Sequence, residues 1–514
     1  MPALPDGEAI ALQRRLPANR DPLELYSALT DHGRRPDTCL LERSVGPSLL
    51  MDQAAVRIEC RGPRVSLLAL SNNGDELLAT VARRMADRVE TFRNRRLDLC
   101  FPAVVGDDAE ERLLAPSPLD VLRLLLGLAS RSQEELFTLA ALGVVAFDHV
   151  DLFEALPANA EDPLDFPDFL FWLAESLIVF EPGAPPRLIC TAFGSANAAA
   201  GERAYFSAAE RLATLVERCA DAKPLPNPAK PRADHEEPDV DLDDAAFGDI
   251  VCRLRDKIAA GDIYQIVPSR TFRTPCAQPL QSFAAQRNLD PSPYHFFVSG
   301  PGHVLFGASP ETSVRIFDVG VPTVEVKPIA GTRPRGVTHD EDSRLEAEMR
   351  LDRKETAEHM MLVDLARNDV ARVSVSGTRR VARLMSVERY ARVMHLVSSV
   401  TGTLRAGLDA LHALQACLNV GTLTGAPKIR ATELLRETEA TKRGPYGGAV
   451  GWLNGEGLID TGVVIRSAVV KDGIAYVRAG AGVVYDSDPQ READETRRKA
   501  SALLSVLTAA GDAA

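Results

Sequence analysis

The stretch GVVIRSAVVKDGIAYVRA, residues 462–479, decides the fold class of the chain. It contains two apolar, β-branched runs, residues 462–470 and 474–479, and Asp472-Gly473 lies between them. This dipeptide is typical of tight hairpin turns. Two strands joined by so short a turn pair antiparallel, so the stretch predicts an antiparallel hairpin rather than a parallel β-α-β unit.

Helical patterns alternate with strands elsewhere. Apolar residues recur at three- and four-residue spacing at residues 247–258, and long helical patterns follow at residues 352–367 and from Pro489 onward. Further strands are predicted at residues 55–59, 65–70, 177–180, 263–272, 304–307 and 323–326. We therefore predict an α+β fold for both halves of the chain.

A proline-rich segment divides the chain. Residues 222–244 mix charged and small residues with five prolines, at positions 224, 226, 228, 231 and 238. Such a composition does not form a core and is typical of a stiff connector. We predict an N-terminal region at residues 1–221, a connector at 222–244 and a catalytic domain at 245–506.

Composition excludes several classes of protein. The 514-residue chain has a net charge of −13, which argues against nucleic-acid binding and against attachment to an anionic membrane. The first 15 residues lack the apolar run of a signal peptide, so we expect a cytoplasmic protein. Its eight cysteines are dispersed without a Cys-x-x-Cys pair, so neither a disulfide framework nor a zinc site is predicted.

Two helical patterns carry paired carboxylates. Glu355 and Glu358 are three residues apart, as are Glu492 and Glu495, so each pair lies on one helix face. Lys499 follows Glu495 by four residues, and a simple surface ion pair is one explanation. The other is that the helices face each other and present carboxylates to Mg²⁺, which keeps some water and binds substrate directly.

Several features predict binding of an anion. Gly480-Ala481-Gly482 follows a strand, and residues 421–428 form a Gly-rich turn before a helix. Arg466, within the apolar run 462–470, needs a carboxylate partner, either internal or from a ligand. Ser487 and Gln490 predict a capping box for the last helix. Together with the paired acids, these features predict a small dianionic or trianionic substrate.

The segment PIAGTRPRG, residues 328–336, combines a small residue, a Gly-Thr turn and two arginines. It predicts a strand that ends beside an anionic ligand, although a surface turn is the simpler alternative. The methyl group of Ala330 leaves room for a nucleophile that the protein does not supply.

Seven runs together resemble one family. They lie, in order, at residues 263–270, 306–311, 328–336, 361–369, 393–397, 446–451 and 492–496. The chain resembles the chorismate-utilising enzymes and, among them, the large subunits of anthranilate synthases. The resemblance implies antiparallel β-sheets packed as a sandwich with flanking helices, in two interwoven domains. It also implies a chorismate-binding domain at residues 245–506, with chorismate and ammonia giving anthranilate and pyruvate.

The resemblance also implies a role for each site residue. Glu358 and Glu495 would hold Mg²⁺, with Glu355 and Glu492 in supporting positions. Chorismate would contact Gly331, Thr332, Tyr446, Arg466, Gly480, Ala481, Gly482 and Lys499. Glu311 would be the general acid for loss of the C4 hydroxyl. His395, which from the residues alone would be a core histidine, would serve the later elimination of pyruvate.

Two positions separate sister enzymes. Relatives that add water to chorismate carry a lysine where this chain has Gln265, and 4-amino-4-deoxychorismate synthases carry a lysine where it has Ala330. The amide of Gln265 cannot deprotonate water and the methyl group of Ala330 cannot attack the ring, so ammonia is the expected nucleophile. The alternative product is 2-amino-2-deoxyisochorismate, formed without pyruvate elimination, and His395 and Thr422 argue against it. A non-catalytic paralogue is a further alternative, against which the acids at 311, 358 and 495 argue.

The source of ammonia and the regulation follow from the same resemblance. None of the cysteines lies in a Gly-x-Cys-x-Gly motif, so we expect a glutamine amidotransferase subunit as partner, in a hetero-oligomer.

The family's tryptophan site uses Leu-Leu-Glu-Ser and Asn-Pro-Ser-Pro-Tyr-Met. Here these read LLER, ending in Glu42 and Arg43, and DPSPYH, ending in Pro293, Tyr294 and His295. We expect weakened tryptophan inhibition, unless Ser44 restores the pocket.

Overall fold

The computed structural model describes residues 4–104, 108–132, 134–158, 161–225, 237–318, 320–390 and 393–509, with the side chains of 508 and 509 excepted. Much of the predicted connector, residues 226–236, lies outside the described residues. Its end is ordered, because Asp239–Val240 forms a short strand and the next helix begins at Asp244, inside the predicted connector.

The described residues form strands and helices in similar proportion. The strands are β1 Glu8–Arg15, β2 Thr38–Arg43, β3 Ser48–Arg61, β4 Arg64–Ala69, β5 Val89–Arg93, β6 Arg96–Cys100, β7 Ala129–Ser130, β8 Ala140–Val145, β9 Phe169–Phe180, β10 Arg187–Phe193, β11 Asp239–Val240, β12 Gln265–Ile266, β13 Ser269–Pro275, β14 Tyr294–Ser299, β15 Val304–Ser309, β16 Thr312–Ile316, β17 Thr323–Val326, β18 Ile329–Pro334, β19 Arg380–Arg389, β20 Val393–Thr403, β21 Gly425–Ala426, β22 Ala449–Asn454, β23 Ile459–Val463, β24 Ser467–Lys471 and β25 Ile474–Gly480. The helices are α1 Pro22–Leu29, α2 Asn72–Arg84, α3 Ala109–Leu114, α4 Asp120–Leu126, α5 Ala198–Ala220, α6 Asp244–Ala259, α7 Pro279–Leu289, α8 His339–Leu351, α9 Arg353–Val373, α10 Ala410–Cys417, α11 Lys428–Thr438 and α12 Pro489–Ala509. Two short 3₁₀ helices lie at Ala86–Arg88 and Phe147–Leu152.

Most of the described strands join one network, which is antiparallel except where β1 pairs with β7. It links 23 strands, and β12 and β21 pair separately. The two halves of the chain share this network, because β2 pairs with β14 and β8 pairs with β22, both antiparallel. The predicted α+β fold with large antiparallel sheets is therefore confirmed, and strands from both halves lie side by side.

The opening hairpin is present, with one correction. β24 and β25 pair antiparallel around Asp472-Gly473 as predicted. The predicted strand at 462–470 is wrong, because the chain leaves β23 before Arg466 and enters β24 after it. Arg466 has φ +48°, a left-handed conformation that a non-glycine residue rarely adopts. The break arises because β23 pairs with β22 and β16, whereas β24 pairs with β15 and β25.

The predicted strand at 263–272 is also divided, into β12 and β13. Pro268 lies between the two strands, and a proline has no backbone N–H to continue a strand ladder. This division directs Gln265 towards β21, with which it pairs at Ala426, while β13 pairs with β25.

The last helix, α12, begins at Pro489 as predicted, but its cap differs. Asp488 Oδ1 accepts a hydrogen bond from the Arg491 amide at 3.0 Å, whereas the Ser487 hydroxyl accepts from the Val484 amide. The predicted capping box of Ser487 and Gln490 is therefore wrong. The reason is register: Asp488 is the residue directly before the helix and offers a shorter, charged acceptor.

Buried arginines fix the elements around the site. Arg270 on β13 is fully buried and donates to Thr496 Oγ1 at 2.8 Å and to the Ala493 carbonyl at 2.9 Å, which ties α12 to the sheet. A second buried group joins Arg443 to Glu439 at 2.7 Å and Arg478 to Glu439 at 2.9 Å. No helix in the described part of the chain is long and apolar enough to span a membrane.

Candidate active site

Glu358 on α9 is influenced by the paired carboxylates of α12. Burial raises the pKa of Glu358, and Lys354, 3.8 Å away, lowers it. The carboxylates of Glu355, Glu495 and Glu492 raise it again. Glu358 therefore lies within electrostatic range of the other three acids, one on its own helix and two on α12.

Each pair has a cationic neighbour. Lys499 Nζ lies 2.8 Å from Glu495 Oε1, the i,i+4 contact expected on a helix. Arg333 Nη1 donates to Glu355 Oε1 at 2.5 Å. The other oxygen, Glu355 Oε2, is buried and has no hydrogen-bond partner among the described residues. It faces β18, since a Cβ on Gly331 would lie 2.7 Å from it.

The acids fit a hard divalent cation, although they do not form a finished ligand set. Within the described ranges, no three His, Cys, Asp or Glu side chains are close enough to hold a metal by themselves. Mg²⁺ often uses only one or two carboxylates, completed by water and substrate. The orphan oxygen of Glu355 and the raised pKa of Glu358 are both features that a bound cation would relieve.

A glycine run lies beside this cluster. Lys499 Nζ donates to the Gly480 carbonyl at 2.9 Å. A Cβ on Gly480 would lie 3.0 Å from the Tyr446 hydroxyl, and one on Gly482 would lie 3.1 Å from Gln265 Nε2. Side chains at these two positions would displace their polar neighbours. Ala481, between them, is fully buried.

Tyr446 is buried, and burial raises its pKa to about 12. Its hydroxyl therefore keeps its proton near neutral pH and can donate a hydrogen bond. Gln265 is also buried, and its Oε1 has no hydrogen-bond partner in the described structure. Both side chains are neutral polar groups beside the glycine run.

Glu311 is placed as a proton donor. It is 6% exposed, and burial raises its pKa to about 8, while the hydrogen bond from Thr422, Arg466 and Lys499 lower it less. The Thr422 hydroxyl donates to Glu311 Oε1 at 2.8 Å. A carboxyl group with this pKa is mostly protonated at pH 7, which is what a general acid requires.

His395 has the opposite protonation. Burial lowers its pKa to about 4, and Arg466 lowers it further. The neutral ring faces β18: its Nδ1 lies 3.0 Å from Thr332 Oγ1 and 3.3 Å from the Gly331 carbonyl. A carbonyl can only accept, so this contact assigns the proton to Nδ1. Nε2, which has no hydrogen-bond partner among the residues described, is then free to accept a proton.

Ala330 and His395 belong to adjoining strands. In the pairing of β18 with β20, Ala330 lies opposite Leu396 and Thr332 lies opposite His395. Gly331, between them, is out of register and has φ +70°, which favours glycine. The half-buried methyl of Ala330 thus adjoins the strand position of the candidate base.

Arg466 departs from the sequence prediction. It does not lie buried within a strand; its side chain is 34% exposed and Nη1 contacts Asp290 Oδ2 at 3.2 Å. Arg466, Asp290 and His395 line one cavity of about 570 Å³, which also touches α12 at Ser501 and Ala502. Its partner in the structure is therefore an internal acid, at the wall of a cavity large enough for a small molecule.

The predicted regulatory residues lie together on β2 and β14. Arg43 is opposite Tyr294, and Glu42 is opposite His295. The Ser44 amide, just beyond Arg43, donates to the Pro293 carbonyl at 3.0 Å. Burial raises the pKa of Glu42 to about 7.

Arg43 fills the space between these strands. Its guanidinium carbon lies 3.6 Å from the centre of the Tyr294 ring, and Nη2 lies 3.2 Å from Asp460 Oδ2. The side chain is only 9% exposed. The remaining cavity, lined also by Trp452, measures about 10 Å³, about the size of one water molecule.

Sequence reasoning missed three residues that shape the site: Arg270, Arg333 and Asp290. Arg270 offered no clear signal, because its strand reads Ser-Arg-Thr-Phe-Arg-Thr-Pro and is largely polar. Arg333 was noted only as one of two arginines near an anion. For Asp290 the sequence gave no indication that it lies against Arg466.

Comparison with known proteins gives consistent results. The model of the chorismate binding enzyme family matches residues 87–505. The chain is 45% identical to anthranilate synthase component 1 of Vibrio cholerae, over 96% of both chains. It is 44% identical to the pyocyanine-specific anthranilate synthase component 1 of Pseudomonas aeruginosa, over 98% of this chain and 92% of that one. The crystal structure of anthranilate synthase component I from Streptococcus pneumoniae matches with TM-score 0.69 and 31% identity, over 90% of this chain and 93% of that one.

Proposed function

Because the chain belongs to the chorismate-binding enzymes, we propose that it is the large subunit of an anthranilate synthase, which converts chorismate and ammonia to anthranilate and pyruvate. The relatives that share 44–45% identity over nearly the full length carry this activity in their names. The observation that carries the proposal is the contrast between a buried acid, Glu311, and a buried neutral base, His395, both within electrostatic range of Arg466.

The first half of the reaction exchanges a hydroxyl for an amine. Glu311, protonated at neutral pH, donates its proton to the departing C4 hydroxyl, which then leaves as water. The Thr422 hydroxyl holds the Glu311 carboxyl at 2.8 Å. Gln265 and Ala330 offer neither a base for water nor an amine, so ammonia from outside attacks the ring.

The second half expels pyruvate. His395 Nε2 removes the ring proton, because Nδ1 already holds its own proton against the Gly331 carbonyl at 3.3 Å. Thr332 Oγ1, 3.0 Å from Nδ1, keeps the ring oriented. The electron pair released from the C–H bond restores aromaticity as the enolpyruvyl C–O bond breaks. The departing enolpyruvate takes up one proton at its methylene carbon, equal to the one His395 removed, and becomes pyruvate.

The substrate carboxylates are bound by the groups already described. Arg466, Lys499, the Tyr446 hydroxyl and the amides at Gly480 and Gly482 are assigned to chorismate, together with Gly331 and Thr332. The Ala481 amide already donates to the Pro268 carbonyl at 3.1 Å, so it is not assigned to the substrate. Glu358 and Glu495 would hold Mg²⁺, with Glu355 and Glu492 supporting them. When bound, the ion supplies positive charge to a substrate carboxylate and stabilises the anion that develops.

Ammonia comes from a partner. The eight cysteines include no glutaminase motif, and the relatives are named as component 1. We assign the supply of ammonia to a glutamine amidotransferase subunit in a hetero-oligomer, working in the cytoplasm. Residues 245–506 carry the catalytic machinery, and residues 1–221 complete the regulatory site.

The chain alone, incubated with chorismate, Mg²⁺ and ammonium, is expected to form anthranilate and pyruvate, identified by chromatography and mass spectrometry. With glutamine in place of ammonium it is expected to form neither until the partner subunit is added. Accumulation of 2-amino-2-deoxyisochorismate without pyruvate would contradict the assignment of the second step. Anthranilate formed from glutamine by the isolated chain would contradict the need for a partner.

Tryptophan inhibition is weakened because Arg43 occupies the regulatory pocket. Its guanidinium meets Asp460 and the Tyr294 ring, where a ligand would need to bind. We expect the wild type to resist micromolar tryptophan, and Arg43→Ser to gain both inhibition and thermal stabilisation by tryptophan. Arg61→Ser, which removes an exposed arginine from β3, is the control. Inhibition of the wild type at micromolar tryptophan would disprove the blocked pocket.

A further inference from the structure

An internal carboxylate already contacts the guanidinium that is assigned to the substrate. Asp290 Oδ2 lies 3.2 Å from Arg466 Nη1, and their side chains are 22% and 34% exposed. Both residues line the 570 Å³ cavity together with His395. Asp290 also acts on His395 directly, because it is one of the charges that raise the pKa of that ring against the larger effect of burial.

Asp290 is fixed in place. The Ser292 hydroxyl donates to Asp290 Oδ1 at 2.7 Å, which orients the carboxylate. Its backbone amide donates to the Gln286 carbonyl at 2.8 Å, and its carbonyl lies 2.6 Å from His295 Nε2. Because its backbone is held at both the amide and the carbonyl and one carboxylate oxygen accepts from Ser292, Asp290 does not leave Arg466 easily when a ligand arrives.

Arg466 is held from the other side as well. Gln286 Nε2 donates to the Arg466 carbonyl at 2.7 Å, and the residue has φ +48°. Its contact with Asp290 uses Nη1 only. A guanidinium has five N–H donors, so a second carboxylate can still bind its remaining edge. That second carboxylate then meets a cation whose charge is already largely balanced.

We propose that Asp290 is a counter-ion of Arg466 and that its negative charge lowers the affinity of Arg466 for the substrate carboxylate. This inference rests on the proposed function. Two carboxylates on one guanidinium lie about 6 to 7 Å apart and repel each other through a partly aqueous medium. The repulsion affects substrate binding and the transition state alike, since the carboxylate persists through the reaction. Through Arg466, Asp290 therefore affects KM, and only its smaller charge effect on the pKa of His395 bears on kcat.

Asp290→Asn tests this inference. An asparagine keeps an oxygen towards Ser292 and removes the negative charge beside Arg466. We expect KM for chorismate to fall about three- to tenfold, whereas kcat falls by no more than about twofold through loss of the charge near His395. Asp75→Asn is the matched control, because it breaks an exposed aspartate–arginine pair, Asp75 with Arg95 at 2.9 Å, on α2 and away from the cavity. It should change neither constant.

A KM that is unchanged or raised in Asp290→Asn, while the wild type forms anthranilate, overturns the inference and leaves the proposed function intact. A merely structural role would lower kcat and the melting temperature together, which also counts against it. If the wild type forms no anthranilate, the proposed function fails instead. Calorimetric titration of both variants with chorismate then still decides whether Asp290 weakens its binding.

Discussion

Replacing Glu311 by glutamine is expected to remove activity and, above neutral pH, to stabilise the folded protein. Burial raises the pKa of Glu311 from 4.5 to about 8. Glutamine has nearly the same shape, is never charged, and keeps an oxygen that can accept the 2.8 Å hydrogen bond from Thr422. The difference in the free energy of unfolding between variant and wild type therefore reports the effect of a titratable acid at this position.

The direction in which stability changes with pH follows from proton binding. Between pH 4.5 and about 8 the folded state keeps a proton that the unfolded state has lost, so the free energy of unfolding falls as pH rises through this window. The window spans 8 minus 4.5, or about 3.5 units, and at about 1.4 kcal/mol per unit the loss reaches at most about 5 kcal/mol. Glu311→Gln does not lose this stability, because glutamine does not titrate. It should exceed the wild type by about 3 to 5 kcal/mol above pH 8 and differ little near pH 5.

Urea unfolding at about pH 5, 7 and 8.5 measures the difference, and Glu202→Gln, on the exposed face of α5, is the control. Turnover of the Glu311 variant should fall about 10²- to 10⁴-fold, as for loss of a general acid. If the stability of wild type and variant changes in parallel with pH, Glu311 does not have the raised pKa on which its catalytic role depends.

Two further substitutions test the surrounding structure. Gly331→Ala places a Cβ 2.7 Å from Glu355 Oε2, at a backbone φ of +70°. We expect the free energy of unfolding, measured by thermal unfolding, to fall by about 1 to 2 kcal/mol, with a proportionally larger loss of turnover. Unchanged turnover would contradict the close contact. Arg443→Met leaves Glu439 buried with Arg478 as its remaining arginine partner, which should cost about 3 kcal/mol in urea unfolding. A cost below about 1 kcal/mol would show that Arg478, with the Ser269 amide and hydroxyl, is enough to satisfy that carboxylate.

The fold class followed from local signals. The Asp472-Gly473 turn between apolar runs predicted an antiparallel hairpin, and β24 and β25 form it. Strand ends were harder to predict. The run at 462–470 gives no sign that the chain changes partners at Arg466, because both flanking strands are equally apolar and the change depends on β15, β16 and β22, which are distant in sequence.

The acidic pairs on α9 and α12 were also predictable, since helical spacing alone puts each pair on one face. Contacts between distant segments were not. Asp290 and Arg466 are 176 residues apart, and no periodicity in either segment indicates that they meet. The sequence shows that Arg43 stands where the family's tryptophan motif has a serine, but only the structure shows its charge balanced by Asp460 and its guanidinium against Tyr294.

The pairing of β2 with β14 has a consequence for the synthesis of the protein. Arg43 on β2 pairs with Tyr294 on β14, and Tyr294 is synthesised 251 residues later, so β2 lacks this partner strand until then. At about 5 to 20 residues per second, a ribosome needs about 13 to 50 seconds to make that stretch. During this time the β14-facing edge of β2 is open to other strands, a known route to aggregation. The N-terminal half should therefore depend on chaperones during translation, and should not be recovered in native form when expressed alone.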